Sequence, residues 1–375
     1  MTRALLALLL TFGQLSVDAA PRMRAVRHRG PVTAPAAVVT AARQTAEAAL
    51  KAGVPAVQIA VSERGQIIYS EAFGVTDKQS ATAATPQSLF QAGSVTKQFT
   101  AAAILRLADR GALTLDDRIE KFVPAFNARG ATITLRHLLS HTSGLARDWF
   151  PPGPPWPNLI APVSREQTMN ALNGQPFLSA PGTNWSYSNA GYMLLGYAIE
   201  SITGMSYPDF IHTEFALPLG LLDTGVCGTH NLPVPEGYGL INNATWIRLP
   251  SLHNTVVWSS GSLCSTASDL ARWAHLLATG HVLLPDTYAT MTTPARLANN
   301  TVVANGYALG VMRQSLQGHP LVWHNGMIDG FQSHLVYLIH QEIAVAVLTN
   351  GFPGPSAADP YHIAVAVAKA ALAAQ

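Results

Sequence analysis

The segment Phe90-Gln91-Ala92-Gly93-Ser94-Val95-Thr96-Lys97 places a serine three residues before a lysine at the start of a helical pattern that runs to about Asp109 and stops at Gly111. On a helix, positions i and i+3 share a face, so the Ser94 hydroxyl would have an amine beside it. Lysine is scarce in this chain: Lys51, Lys78, Lys97, Lys121 and Lys369 are the full set, and only Lys97 has a serine at that spacing. The positive end of the helix, together with burial, would lower the lysine pKa and let it take a proton near neutral pH. Gly93 leaves room for close backbone approach to a ligand, and the Ser94 N–H at the helix start is free for an oxyanion. A lone S-x-x-K is common, so the pair needs company.

On either side of this segment, strand signals lie at the two ends of the chain and helical signals in the middle. Thr40 to Ala52 reads as an alanine-rich helix closed by Gly53. Ala56–Val61 and Gln66–Tyr69 read as strands around the turn Glu63-Arg64-Gly65. Leu135–Leu139, Tyr192–Ile202 (ended by Gly204) and Ala267–Leu277 (capped by Ser265 or Thr266) read as helices. Leu321–His324, Phe331–Ile339 and Ile343–Leu348 read as strands, and Tyr361 to Gln375 as a closing helix. The fold class expected is α+β: an antiparallel sheet built from both termini, flanked by the terminal helices, with a mainly helical middle subdomain. The chain is 48% hydrophobic and only 12% charged, with a net charge of +2, which argues against disorder and against a nucleic-acid surface.

Two later groups carry chemistry. In Pro181-Gly182-Thr183-Asn184-Trp185-Ser186-Tyr187-Ser188-Asn189, a tyrosine beside a lysine ammonium could be held as phenolate and act as a base. Asn189, two residues on along an extended loop, would point the same way and offer a donor and an acceptor to a substrate amide. In His324-Asn325-Gly326-Met327, at the end of a strand, the backbone could lend an N–H to an oxyanion hole, and His324 could hydrogen-bond the tyrosine or the substrate. Taken singly, each group is better read as structural.

Taken in order, the three groups resemble the serine β-lactamases and penicillin-recognising enzymes, and most closely the branch of class C β-lactamases, D-alanyl-D-alanine carboxypeptidases and related esterases. Arg136-His137-Leu138-Leu139-Ser140-His141-Thr142-Ser143-Gly144-Leu145, Gly191 to Gly196, Pro218 to Leu221, Ser265 to Leu270 and Leu348-Thr349-Asn350 fit the same branch. The resemblance covers roughly residues 40 to 370. It implies a β-lactamase/transpeptidase-like fold and a single catalytic domain over 39–375, with a sheet subdomain of about 39–92 and 300–375 and a helical subdomain of about 93–299. It implies Ser94 as nucleophile, Lys97 as its activator and Tyr187 as base and proton donor. Asn189, His324, Asn325 and Gly326 would bind substrate, and the N–H groups of Ser94 and Met327 would form the oxyanion hole. His324 stands where β-lactamases of this branch usually have lysine, and Asn325 replaces a hydroxyl residue. Both move the expected substrate from β-lactams toward esters and D-amino-acid peptide amides. The rivals are a true β-lactamase and a catalytically idle member that binds peptidoglycan or a partner protein. His141 is expected to be structural. No cofactor and no metal are expected.

The first twenty residues read as a signal peptide, with Arg3, an apolar run from Ala4 to Phe12 too short to span a bilayer, and small residues at 17–20. Residues 21–38 read as a flexible leader. The expected location is therefore periplasmic or secreted, or cytoplasmic if translation starts at Met23. The expected partners are a small-molecule or peptide substrate, peptidoglycan-derived fragments among them, with no nucleic acid and no stable membrane span. In an exported protein Cys227 and Cys264 permit one disulfide; the alternative is two buried thiols. The proline-rich segment 149–157 reads as a stiff surface loop or a lid.

Overall fold

Alternating large and small apolar residues in the first and last strands determine how the sheet is covered. The computed structural model describes residues 33–150, 158–242 and 245–375. Ala56–Glu63 (β1), Gln66–Asp77 (β2) and Thr82–Ala83 (β3) come from the N-terminal side, and Met312–Leu316 (β4), His319–Ile328 (β5), Phe331–Leu338 (β6) and Ile343–Thr349 (β7) from the C-terminal side. They form one antiparallel sheet in the order β3-β2-β1-β7-β6-β5-β4, so the two ends of the chain meet where β1 pairs with β7, Val57 opposite Thr349. The fold is the expected α+β class.

Five helices frame this sheet or the site: Ala36–Lys51 (α1), Thr96–Asp109 (α2), Asn189–Thr203 (α3), Ala267–Ala278 (α4) and Pro360–Ala373 (α5). On one face of the sheet Val57, Ile59, Val61, Val345 and Val347 pack with Val38, Ala42, Ala46, Ile363 and Val367 of α1 and α5. On the other face β1 and β7 present small residues at Ala60, Ala344 and Ala346, and α4 lies close against these strands. Gln58 faces that side too; its Oε1 accepts the Ala267 N–H at 2.6 Å and its amide donates to the carbonyls of Thr85 and Ser88. The larger core continues between α4 and α2, where Trp273 stacks on Phe99 at 3.7 Å.

Several boundaries differ from the sequence reading. Helix α1 begins at Ala36, inside the expected leader, directly after Pro35, whose carbonyl accepts the Val38 and Val39 N–H groups. The middle region is not purely helical. Phe90–Gln91, Leu263–Ser265 and Gly225–Val226 make a small three-stranded sheet, and Gly237–Ile241 pairs with Thr245–Leu249. Helix α4, inside the expected helical subdomain, packs on the main sheet. These short strands are held by tertiary neighbours, so their own sequences carry little signal. The expected signal peptide at 1–20 and most of the leader lie outside the described residues.

Candidate active site

The nucleophile segment is fixed from both sides through its backbone. Ala92 donates its N–H to the Leu263 carbonyl at 2.7 Å, and its own carbonyl accepts from Ser333 Oγ on β6 at 2.7 Å. Gly93 follows with φ +51° and opens a single 3-10 turn, Gly93–Val95, which leads into α2. A Cβ on Gly93 would lie 3.0 Å from the Met327 nitrogen, so glycine lets the Ser94 segment and β5 lie side by side. Thr96 Oγ1 ties the turn down by donating to the Gly93 carbonyl and accepting the Leu263 N–H.

Lys97 is fully buried behind Ser94. Its Nζ lies 3.1 Å from Ser94 Oγ, 2.7 Å from Asn189 Oδ1 and 2.7 Å from the Ser260 carbonyl. Burial drives its pKa well below the usual lysine value; the Arg147 charge adds to the drop and Asp148 opposes it. A neutral amine has two N–H groups and one lone pair. The two N–H groups match the two pure acceptors, Asn189 Oδ1 and Ser260 O, and the lone pair is left for the Ser94 hydroxyl. The Ser260 carbonyl is available because the chain breaks helical geometry at Trp258, φ 33°, turning the next two carbonyls onto α2: Ser259 O accepts from Thr100 and Ser260 O from Lys97.

Tyr187 and Asn189 converge on the same amine, but not along one extended loop. Asn189 is the first residue of α3, and the Ser188 hydroxyl caps that helix by accepting the Gly191 N–H. The bend is set by the segment 141–148: Ser188 donates its N–H to His141 Nδ1 and its hydroxyl to the Ala146 carbonyl, and the Arg147 carbonyl accepts the Asn189 N–H. His141 therefore has a positioning role; burial holds its pKa far below the usual imidazole value. Asn189 Nδ2 donates to Asp148 Oδ1 at 2.8 Å, which fixes the amide orientation seen by Lys97. The Tyr187 ring centroid lies 4.8 Å from Lys97 Nζ. Burial raises the Tyr187 pKa, with Ser94 and Arg147 pulling the other way, so the resting side chain is a neutral phenol and not the expected phenolate.

The family model described as Beta-lactamase matches residues 40–368. The chain belongs to the Beta-lactamase family. This is a family of serine hydrolases. The chain is 30% identical over 308 residues to Penicillin-binding protein 4* of Bacillus subtilis, covering 78% of this chain and 67% of that protein. Against Protein flp of Staphylococcus aureus it is 28% identical over 316 residues and spans 60% of that protein. The octameric penicillin-binding protein homologue of Pyrococcus abyssi superposes with a TM-score of 0.76 at 27% identity, covering 90% of this chain and 78% of that one. A D-stereospecific amidohydrolase from Streptomyces gives 0.73 at 25% identity, covering 90% and 99%.

In this member of the Beta-lactamase family the cleft beside Ser94 has a volume of about 440 Å³. Asn325 and Met327 line it from β5, whose pairing with β4 ends at Trp323, so the strand edge from His324 onward has no neighbouring strand on that side among the described residues. His324 does not line the cleft. It is fully buried, with Nε2 3.2 Å from Tyr307 Oη and Nδ1 2.6 Å from the Asn325 carbonyl, and burial takes its pKa down to about 3. Its partner is thus Tyr307 and not Tyr187. Gly326 is pressed against the nucleophile segment; a Cβ there would stand 2.0 Å from the Ala92 carbonyl oxygen. Tyr307, Arg147, Asp148, Trp323 and the Ser260 carbonyl belong to the site but lie outside the sequence motifs. Arg147-Asp148, one residue beyond the Gly144-Leu145 segment, was the one pair that position along the chain could have indicated. Cys227 and Cys264 are joined by a disulfide, which ties Gly225–Cys227 to the strand beside Phe90–Gln91. Of the segment 149–157, Trp149 is buried and donates its indole N–H to the Val256 carbonyl; residues 151–157 lie outside the described residues, and with them any lid.

Proposed function

We propose that the protein hydrolyses esters and amides of D-amino acids or their peptides through an acyl-enzyme on Ser94. The observation that carries this reading is the Lys97 environment: two acceptors take its N–H groups and the third neighbour is the Ser94 hydroxyl, 3.1 Å away. In the acylation step the Ser94 proton passes to the Lys97 lone pair and Oγ bonds to the substrate carbonyl carbon. The oxygen that gains charge is held by the N–H groups of Ser94 and Met327. As the intermediate collapses, the bond to the leaving amine or alkoxide breaks. Tyr187 gives that group its phenol proton and recovers one from the Lys97 ammonium. Water then attacks the acyl carbon by the reverse relay, and Ser94 and the acid are released.

The D-stereospecific amidohydrolase among the similar structures supports the amide class, within which a carboxypeptidase preference falls, and an esterase preference is the other half of the proposal. The β-lactamase alternative is less favoured, because His324 is neutral, buried and bonded at both ring nitrogens. The test is a panel of nitrocefin, p-nitrophenyl esters and D-alanyl amides on the wild type and on Ser94→Ala, with intact-mass detection of the acyl-enzyme. Ester or D-amide turnover that falls at least ~10³-fold in Ser94→Ala supports the reading. Full activity in the variant removes it, and absence of any covalent adduct favours the idle binder. We further propose export. No helix of the described residues is long and apolar enough to cross a membrane, and the disulfide suits an oxidising compartment. N-terminal sequencing of protein recovered outside the cytoplasm checks cleavage near residue 20.

A further inference from the structure

Among the described residues, Arg147 is the only charged side chain that lines the cleft beside Ser94. Its side chain is 65% exposed, and its guanidinium lies 5.4 Å from the Tyr187 ring centroid. The one carboxylate paired with it among the described residues is Asp148, at 3.8 Å, beyond hydrogen-bond reach, and Asp148 Oδ1 already takes the Asn189 amide. The undescribed internal residues, 151–157 and 243–244, contain no aspartate or glutamate.

The other basic groups nearby are committed. Lys97 has three neighbours and a depressed pKa, while His141 and His324 are buried and neutral. The fixed positive charge available to a ligand is therefore on Arg147. Trp185, Tyr307, Met312 and Trp323 line the same cleft and give it apolar walls. Beside such walls the local dielectric is lower than in water and a charge pair is correspondingly stronger. A guanidinium presents a planar fork of donors that matches both oxygens of a carboxylate.

We propose that Arg147 determines specificity and that the site prefers esters or amides carrying a carboxylate away from the scissile bond, next to an apolar or aromatic body. This rests on the Ser94 cleft being the substrate site, and it adds a substrate class to that reading.

The test is equilibrium binding by calorimetry, which needs no turnover. Two matched anilides are titrated into the full-length Ser94→Ala protein: succinanilic acid, with a free carboxylate, and its neutral carboxamide. The acid is expected to bind at least about tenfold tighter, with the preference shrinking in high salt. Adding Arg147→Gln should remove the preference and Arg147→Glu should reverse it. Arg147→Lys, which keeps the charge, should retain part of it and covers the case in which the glutamine variant fails to fold. Equal affinity for the two anilides, no binding of either, or an undiminished preference in Arg147→Gln would overturn the proposal. Absence of ester and amide turnover in the wild type would count against the hydrolase reading alone and leave the binding preference to be judged on its own.

Discussion

At the scale of single residues, the site rests on a lysine whose pKa burial drives well below its usual value. The groups facing Lys97 are Arg147, Asp148, His141, His324, Tyr187 and Tyr192. Both histidines stay neutral through the working range, since His324 is held at about 3 and His141 far below its usual value. The tyrosines are pushed upward by burial and stay protonated. The acidic limb of a pH–rate profile should therefore report Lys97. A base works only when deprotonated, so activity should fall as pH drops through its depressed pKa, well below 10.5. Arg147 lowers that pKa and Asp148 raises it. In kcat/KM profiles on a neutral p-nitrophenyl ester, Arg147→Gln should move the limb to higher pH and Asp148→Asn to lower pH. Shifts of the same sign in both variants would show that the limb belongs to another group.

At the scale of elements, β5 and the nucleophile segment are a matched pair of backbones. Gly326→Ala would put a methyl 2.0 Å from the Ala92 oxygen and 2.4 Å from Ser333 Oγ, the hydrogen bond that joins them. Neither neighbour is the loose end of a long side chain, so the strand itself must move. We expect kcat/KM to fall by at least ~10²-fold, as for an ångström-scale misplacement of reacting groups. Gly174→Ala, where an added Cβ meets nothing within 4 Å, is the comparison and should leave activity unchanged and stability level or slightly raised, by ~0.5 kcal/mol. Wild-type turnover in Gly326→Ala would mean the strand edge is not part of the site. Much of this scale was legible in the sequence. Helix 135–139 was read to the residue, and of the two caps offered for Ala267–Leu277, Ser265 or Thr266, the structure uses Thr266, because these signals are local. Asn189 was misplaced on a loop because its helix start is imposed by His141 and Arg147, over forty positions away. Strand β4 was missed for a different reason: it is a short, largely polar edge strand, Met312-Arg313-Gln314-Ser315-Leu316, with little hydrophobic pattern of its own.

At the scale of the whole molecule, the motifs were readable but their roles in space were not. Ser94, Lys97, Tyr187, Asn189 and Met327 do meet. His324 lies beside that group but beneath the cleft: alternation along the strand leaves Trp323, Asn325 and Met327 on the cleft lining and buries His324 with its ring centroid 6.4 Å from that of Tyr187 and its ring bonded to Tyr307. The disulfide acts at this scale too. Cys264 lies on the strand that receives the Ala92 N–H and gives its Leu263 N–H to Thr96. Closing a loop of 37 residues stabilises by roughly 3–4 kcal/mol. Cys227→Ser with Cys264→Ser should lower Tm by about 5 °C, read by calorimetry with the oxidised wild type as reference. An unchanged Tm would mean the bond is absent or without effect in solution.

Because β1 is completed by β7, almost three hundred residues later, the order of synthesis matters. A chain emerging from its amino end exposes Ser94, Lys97, Tyr187 and Asn189 long before Met327 exists, and β1 must wait with one edge unpaired. The candidate site is therefore incomplete while the chain is being made. A chain stopped before Met327 would carry its nucleophile without that strand edge, and one stopped between there and residue 349 would leave β1 short of its second neighbour.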